Sequence, residues 1–434
     1  MNASIATPSS PPPFLPPIPR RSPPARVLDA LARGASAEDV LAEAARVGGA
    51  WIDPDPDAPD HRIVTVVRRL EHDDESAVLL IDTVTHLHRS DLAPFVLDRV
   101  GHAGSRLHAG AFSLPATLRA TVALLVERPL DPELGATRER WRPVYDRTEA
   151  LPGGGEVCVT AGGGRSSILS LPDALPQRFV RADPSEDPVP AGRVHRGQID
   201  SRVLGFPLDV WCHLPASAAE RGVSGVALLS DGDRLTSEVP LLPALDRASA
   251  AGALAPVATV LYATADPADR PRALGMNPAL ADFLTDELLP WAGSFAALPT
   301  DPERRVVGGA SLGGLAAADL VRRAPHVVRN AIVQSGSFWW PDPADGAAPG
   351  AQLGLWRGSG SAAGIRIFQE VGEFEGHLLG LNREFRALAE GAGAAVQYRE
   401  YCGGHDFACW RVGLVDGLIA LLGGEASRAP ARRT

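Results

Sequence analysis

From about residue 194 the chain alternates short apolar runs with longer stretches of helical periodicity. The runs are "SGVALLSD", "VATVLYAT", "RRVVGGAS", "VRNAIVQSGS", "GIRIFQEVGE" and "AVQYREYCGG". Between and after them lie "NPALADFLTDELLPW", "LGGLAAADLVRRAP", "HLLGLNREFRALAEGAG" and "FACWRVGLVDGLIALLG". Apolar runs of this length suit strands buried on both faces, and alternation with helices makes such strands parallel. The pattern predicts an α/β domain over 194–424, a mostly parallel sheet flanked by helices. "VHRGQID" and "PLDVWCHLP" read as its opening hairpin.

The first third of the chain reads differently. With 434 residues, two domains are expected. Residues 1–25 are rich in Pro and Ser and predict a disordered tail, as does 425–434. Residues 26–48 carry apolar residues at helical spacing, with a helix start at Ser36 followed by Glu38 and Asp39. From "HRIVTVVRRLE" onward, short strand-like runs and turn residues predict a smaller antiparallel β-sandwich, so that 26–150 forms one domain. The Gly- and Pro-rich segment 151–193 reads as a linker or a wrapping segment, with a strand or two that its pattern does not place.

Within the α/β domain, "VVGGASLGGLAA" sets Ser311 in a G-x-S-x-G pattern between a β-branched run and an amphipathic helix. A flexible turn is the plain alternative. The context favours a nucleophile on a sharp strand-to-helix elbow, where small neighbours let other chain segments approach. The helix after it turns its positive end toward the serine, which suits a developing oxyanion.

A serine nucleophile needs a base and an acid, in the chain order Ser, acid, His. His405, in "CGGHDFAC", follows the last strand and is the base candidate against a plain surface histidine. Glu373 and Glu375, in "GEFEGH" after the preceding strand, are the acid candidates; a solvated pair before a helix is the alternative for each. Asp406 adjoins His405 too closely in sequence to turn back to its ring. The oxyanion hole is expected from the backbone N–H of Leu312 and from the "LLSDGDRL" turn at Asp231 or Gly232. Cys402, His405 and Cys409 suggest zinc, but a fourth ligand and C-x-x-C spacing are missing, so no metal is expected.

Charge and cysteine content narrow the classes. A net charge of -10 argues against a bulk nucleic-acid binder. No apolar run is long enough to span a bilayer. The N-terminal stretch, with Arg20 and Arg21, lacks the apolar core of a secretory signal. Four cysteines in a chain of this length make no disulfide framework, and a cytoplasmic setting is expected.

Several stretches together resemble the enterochelin (ferric enterobactin) esterases of the esterase D branch of α/β-hydrolases. They are the elbow, "NAIVQSGSFWW", "GGHDFACWRVGL", "RALGMNPALADFLTDELLPW", "LLSDGDRL" and, near the N-terminus, "IDTVTHLHRSDLAPFVLDRV". The likeness covers most of the chain beyond residue 40; its most specific parts are the GGHD-x-x-x-W block and the two-domain layout. It implies hydrolysis of a catecholate trilactone siderophore with ferric iron bound, with iron entering only as part of the substrate and no cofactor. By position it makes Ser311 nucleophile, His405 base and Glu375 acid, the last through a G-x-x-E-like segment from Gly372. Arg272 and Asn277 match a family R-x-x-x-x-N pattern. Two positions depart from the family: Ala310 stands where Gln is frequent, and Leu235 where Trp is frequent.

A ferric tris-catecholate is an anion, so an acidic chain must bind it in a local basic, aromatic cleft. Trp339, Trp340, Trp410 and Arg411 lie on loops beside the expected triad and could build one; core packing is the alternative for the tryptophans. The expected partner is a small-molecule siderophore, with no nucleic acid and no membrane, for a monomer or weak oligomer. The other readings are a carboxylesterase or acyltransferase of the same fold, or an inert siderophore-binding module.

Overall fold

The computed structural model describes residues 15–423, except 103, 154, 160–161, 181–187, 240 and 342–349. Its N-terminal part is built from two antiparallel sheets. One contains, in spatial order, Arg20–Ser22, Leu107–Pro115, His61–Arg69 and Ala50–Pro54, with Asp98–Arg99 also paired to Leu107–Pro115. The other runs Ser76–Ile81, Arg119–Glu127, Arg165–Ser170, Val157–Val159.

Alternation explains the packing. Phe112 and Leu114 point between the sheets, where they meet Val78, Leu80, Val122 and Leu124. Leu107 and Ala109, of opposite parity, point outward. They are covered by Val27, Val40 and Ala44 from the helices Ala25–Ala32 and Ala37–Arg46. Ser36 starts the second helix as its sequence suggests. Its Oγ accepts the Asp39 N–H and the Asp39 carboxylate accepts the Ser36 N–H, a capping box.

Two boundaries shift. Residues 157–170, expected within a linker or wrapping segment, supply two strands of the second sheet. Arg20–Ser22, expected in the disordered tail, pairs with Phe112 and its neighbours at a sheet edge. Arg20–Ser22 and Val157–Val159 span three residues each, too few to show a periodicity, so only pairing reveals them. The rest of the expected tails, 1–14 and 425–434, lies outside the described residues.

The second part holds an eight-stranded sheet. Its strands are β1 (Arg193–Asp200), β2 (Pro207–Leu214), β3 (Gly225–Ser230), β4 (Val257–Thr264), β5 (Arg305–Ala310), β6 (Asn330–Gln334), β7 (Arg366–Gly372) and β8 (Ala395–Tyr401). The order is β1-β2-β4-β3-β5-β6-β7-β8. β1 and β2 form the expected antiparallel hairpin, β2 pairs antiparallel with β4, and every other pairing is parallel.

β3 is apolar along nearly its whole length because both faces are covered. Val226 and Leu228 face the cluster made with Leu315, Phe283 and Phe385. Ala227 and Leu229 face the one made with Leu245, Val415 and Leu418. Parallel strands send their carboxyl ends to one edge of the sheet, where open α/β sheets bind ligands. The loops after β5, β6, β7 and β8 meet there.

Candidate active site

Ser311 occupies the turn between β5 and the helix Leu312–Arg323, with φ 60° and ψ -118°. This is a costly conformation for a residue with a side chain. It is held by packing and hydrogen bonds. The Ser311 N–H donates to the Gln334 carbonyl at 2.9 Å, and its own carbonyl accepts from Leu315 at 3.0 Å and Ser337 at 3.1 Å. Ser230, at the end of β3, explains the flanking glycines. A Cβ at Gly309 would lie 2.3 Å from the Ser230 Oγ, and one at Gly313 would lie 2.2 Å from it. The N–H of Leu312 is the first of the helix and has no partner within it.

The acid and base come from the next two loops. Glu375 follows β7 and is buried; its Oε2 lies 2.6 Å from His405 Nδ1. Its Oε1 accepts the Gly372 N–H at 2.8 Å and the Ser335 hydroxyl at 2.5 Å. The Tyr401 hydroxyl adds a third donor at 3.4 Å, and together they fix the carboxylate and leave the other oxygen for the imidazole. Glu373, two residues earlier, is exposed and its backbone N–H bonds Tyr401. Desolvation, with Glu400 adding to it, raises the Glu373 carboxyl above its usual range.

The loop after β6 touches both ends of this constellation. Ser335, at φ 47°, accepts from Trp410 Nε1 at 3.0 Å while it donates to Glu375. Two residues on, the Ser337 Oγ lies 3.0 Å from the Ser311 Oγ. Gln334, at the end of β6, meanwhile holds the carbonyl of Trp410 through its Nε2 at 2.7 Å.

Ser311, Glu375 and His405 line a cleft of 920 Å³ between the two parts of the molecule. The sandwich contributes Arg89, Arg138 and Arg142 to its wall, and the α/β part contributes Arg234 and Trp339. Among the described residues, Arg138 and Arg142 make no ion pair with a carboxylate. Asp82, Asp146, Glu238, Glu375 and Asp406 bring carboxyls to the same wall, several of them engaged by other groups. Glu238 pairs with Arg234 at 2.6 Å. Asp406 accepts the N–H groups of Thr121 at 2.5 Å and Ala408 at 2.8 Å. Burial, then the nearby Asp406, pushes the Asp82 carboxyl well above its usual range, toward the neutral acid. Burial first, then Arg89 and Arg138, lower the pKa of His86 to about 4.

The other sequence candidates are distributed unevenly. Trp339 lines the cleft. Trp340 turns away, packing on the main core and donating Nε1–H to the Gly275 carbonyl at 3.2 Å. Trp410 is buried under His405, with the rings edge to face at 4.6 Å, so it supports the imidazole and does not line the cleft. Arg411 likewise does not line the cleft. It is 2% exposed and forms a forked ion pair with Glu156 plus a 2.7 Å bond to Gln177, because its helix turns it toward the sandwich. Arg272 is exposed and pairs with Asp269 at 2.5 Å, outside the cleft wall. Asn277 caps its own turn, accepting from Ala279.

The turn after β3 sits beside the elbow. Asp231 has φ 59° and ψ 41°, and its carboxylate is clamped by Arg270 at 2.5 Å and 2.9 Å. Arg270 also reaches the Ala310 carbonyl at 3.4 Å. Gly232 begins a helix, so its N–H has no partner within that helix. Leu235 is buried in the core on this side. As for the zinc alternative, the Cys409 thiol donates to the Arg119 carbonyl at 3.2 Å and His405 Nδ1 faces Glu375.

The arginines of the sandwich and the two serines of "QSGS" carry no sequence signature that separates them from ordinary surface and loop residues. One signal was available: "RERWRP" concentrates three arginines around Trp141 in an acidic chain.

A model of the family described as putative esterase matches residues 201–421. The chain is 33% identical over 281 residues to the iron(III) enterobactin esterase of Dickeya dadantii, covering 62% of this chain and 65% of that protein. It is 32% identical over 290 residues to the iron(III) enterobactin esterase of Escherichia coli K12, covering 65% and 70%. It thus spans about two thirds of the length of these relatives. Among solved structures, the ferric enterobactin esterase of Salmonella typhimurium superposes with a TM-score of 0.75 at 25% identity, over 88% of this chain and 98% of that one. The Shigella flexneri enterobactin esterase, crystallised in the presence of enterobactin, gives 0.73 at 25% identity over 86% and 96%.

Proposed function

The chain belongs to the esterase family that its α/β domain matches, and from that membership we propose that it hydrolyses the ester bonds of a ferric catecholate trilactone siderophore. The reading is carried by one observation. The wall that presents Ser311, Glu375 and His405 faces sandwich arginines that make no ion pair with a described carboxylate. A ferric tris-catecholate brings net negative charge and flat aromatic rings. Arg138, Arg142 and Arg89 answer the charge, and Trp339 offers an aromatic face. A cleft of 920 Å³ accommodates a ligand of that size.

In this reading His405 takes the Ser311 proton as the hydroxyl attacks an ester carbonyl, and Glu375 stabilises the imidazolium that results. The tetrahedral oxyanion lies against the Leu312 N–H and an N–H of the 231–232 turn, at the positive ends of two helices. His405 then protonates the leaving serine alkoxide of the lactone, and water repeats the sequence on the acyl-enzyme. Each cycle opens one ester; the first opens the macrocycle and weakens the chelate by removing its preorganisation. The chemistry asks for no cofactor; iron arrives with the substrate. Iron release in the cytoplasm is the role this implies. Among the described residues no helix is long and apolar enough to cross a membrane.

The test is direct. The protein is incubated with a ferric catecholate trilactone, its linear trimer and p-nitrophenyl acetate, and products are resolved by mass. Stepwise release of acyl-serine units from the trilactone is expected. Cleavage of the simple ester with the trilactone left intact would replace this reading with that of a carboxylesterase.

A further inference from the structure

We propose that the N-terminal sandwich is a working part of the hydrolytic apparatus, with Thr83 as the positioning residue for His405. The proposal rests on the assignment of Ser311, Glu375 and His405 as the triad, and adds to it a claim about what holds the histidine.

The backbone N–H of His405 donates to the Thr83 hydroxyl at 2.6 Å. Thr83 follows the strand Ser76–Ile81, and the neighbouring strand Arg119–Glu127 begins beside it, since Asp82 bonds Thr121 at 3.0 Å. From that second strand, Arg119 donates to the Cys402 carbonyl at 3.1 Å and accepts from the Cys409 thiol. Thr121 donates to Asp406. The loop that carries His405 is therefore tied to the sandwich before, at and after the histidine.

The acid loop is anchored in the same place. Phe374, next to Glu375, is buried in the hydrophobic core of the sandwich. Its N–H donates to the Gly403 carbonyl at 3.0 Å, joining the two loops. The contact with Thr83 is close as well as polar. A Cβ at Gly404 would stand 2.2 Å from the Thr83 Oγ1 and 2.7 Å from its backbone nitrogen. Glycine here serves close approach between the domains, and the His405 N–H has the Thr83 hydroxyl as its acceptor.

The consequence separates this from a substrate-gripping role. A domain that only grips a large substrate matters little to a small ester. A domain that fixes the base matters to every ester, because misplacing a catalytic group by about 1 Å can cost on the order of a hundredfold in rate. Thr83→Val keeps the shape and removes the acceptor; Thr83→Ser keeps the acceptor.

Steady-state kinetics on p-nitrophenyl acetate with the full chain decide the matter. Thr83→Val is expected to lower kcat about tenfold to a hundredfold with KM nearly unchanged, while Thr83→Ser stays within about threefold of the parent. A folded Thr83→Val enzyme with parental kcat overturns the proposal, as does an equal kcat loss in Thr83→Ser. If Thr83→Val does not fold, Gly404→Ala takes its place: a kcat loss on the small ester supports the proposal and parental turnover overturns it. Ser311→Ala, run alongside, tests the triad itself. Retained turnover there would fail the triad and the proposal with it, whereas parental kcat in Thr83→Val beside an inactive Ser311→Ala would fail the positioning role alone.

Discussion

At the scale of the residue, the site is held by hydrogen bonds to main chain as well as to side chains. Ser311 holds a strained backbone angle because Gln334, Leu315 and Ser337 all bond its main chain. Ser311→Ala keeps that frame and removes only the hydroxyl, so turnover should fall at least about a thousandfold while thermal unfolding is little changed. Esterase assays beside a calorimetric melt check both. Glu375 and Glu373 make a sharper contrast. The sequence left them equal as chemistry, and only the resemblance preferred Glu375. Glu375 is buried and bonds the imidazole, whereas Glu373 is exposed and bonds it at no point among the described contacts. Glu375→Gln should lower kcat by about three to four orders of magnitude, since the amide favours the wrong tautomer of His405. Glu373→Gln should leave kcat within about twofold. The reverse ranking would move the acid to Glu373.

At the scale of the element, two features join local structure to function. The elbow works because β3 ends beside it: Ser230 occupies the space that a side chain at 309 or 313 would need. Gly313→Ala should therefore destabilise the protein by about 1–3 kcal/mol and lower kcat, readable by urea unfolding and by ester turnover. A neutral effect would mean that Ser230 moves freely. The short helix Arg138–Trp141 is the second feature. Its N-terminal turn is capped by the Thr137 side chain, and buried Trp141 pins it so that Arg138 and the following Arg142 face the cleft. Replacing both arginines with alanine should raise KM for the ferric siderophore about tenfold to a hundredfold. It should leave KM for p-nitrophenyl acetate unchanged, and added salt should narrow the difference between variant and parent. Equal effects on both substrates would count against an anion-binding role.

At the scale of the molecule, the cleft exists because two domains with separate cores share one seam. Burying a histidine beside its arginines has a measurable cost. Burial and the neighbouring arginines lower His86 from 6.5 to about 4, so the folded chain refuses a proton that the unfolded chain accepts. Between about pH 6.5 and 4 the unfolded state binds more protons, and stability must fall as pH is lowered through that window. His86→Gln should remove one proton's worth of that slope, seen in urea unfolding at stepped pH. An unchanged slope would show that His86 titrates normally.

The sequence by itself determined what short-range patterns can carry. Periodicity specified the α/β class, because a parallel strand covered on both faces must be apolar throughout, as β3 is. Chain order after the elbow pointed to His405 and to an acid after β7, and the small residues around Ser311 marked the turn. Tertiary structure decided everything that depends on which surfaces meet. It separated Glu375 from Glu373 by burial. It turned Arg411 onto Glu156, although its place beside the histidine loop suggested the cleft. It put Trp410 beneath the imidazole and Trp339 in the wall. It also placed the strands that the segment read as a linker or wrapping segment left unplaced, and brought Thr83 to a histidine more than three hundred residues away. A hydrogen bond between residues so far apart leaves no local pattern, because spacing along the chain reports only on neighbours within one element, while the seam between domains is set by how two finished cores pack.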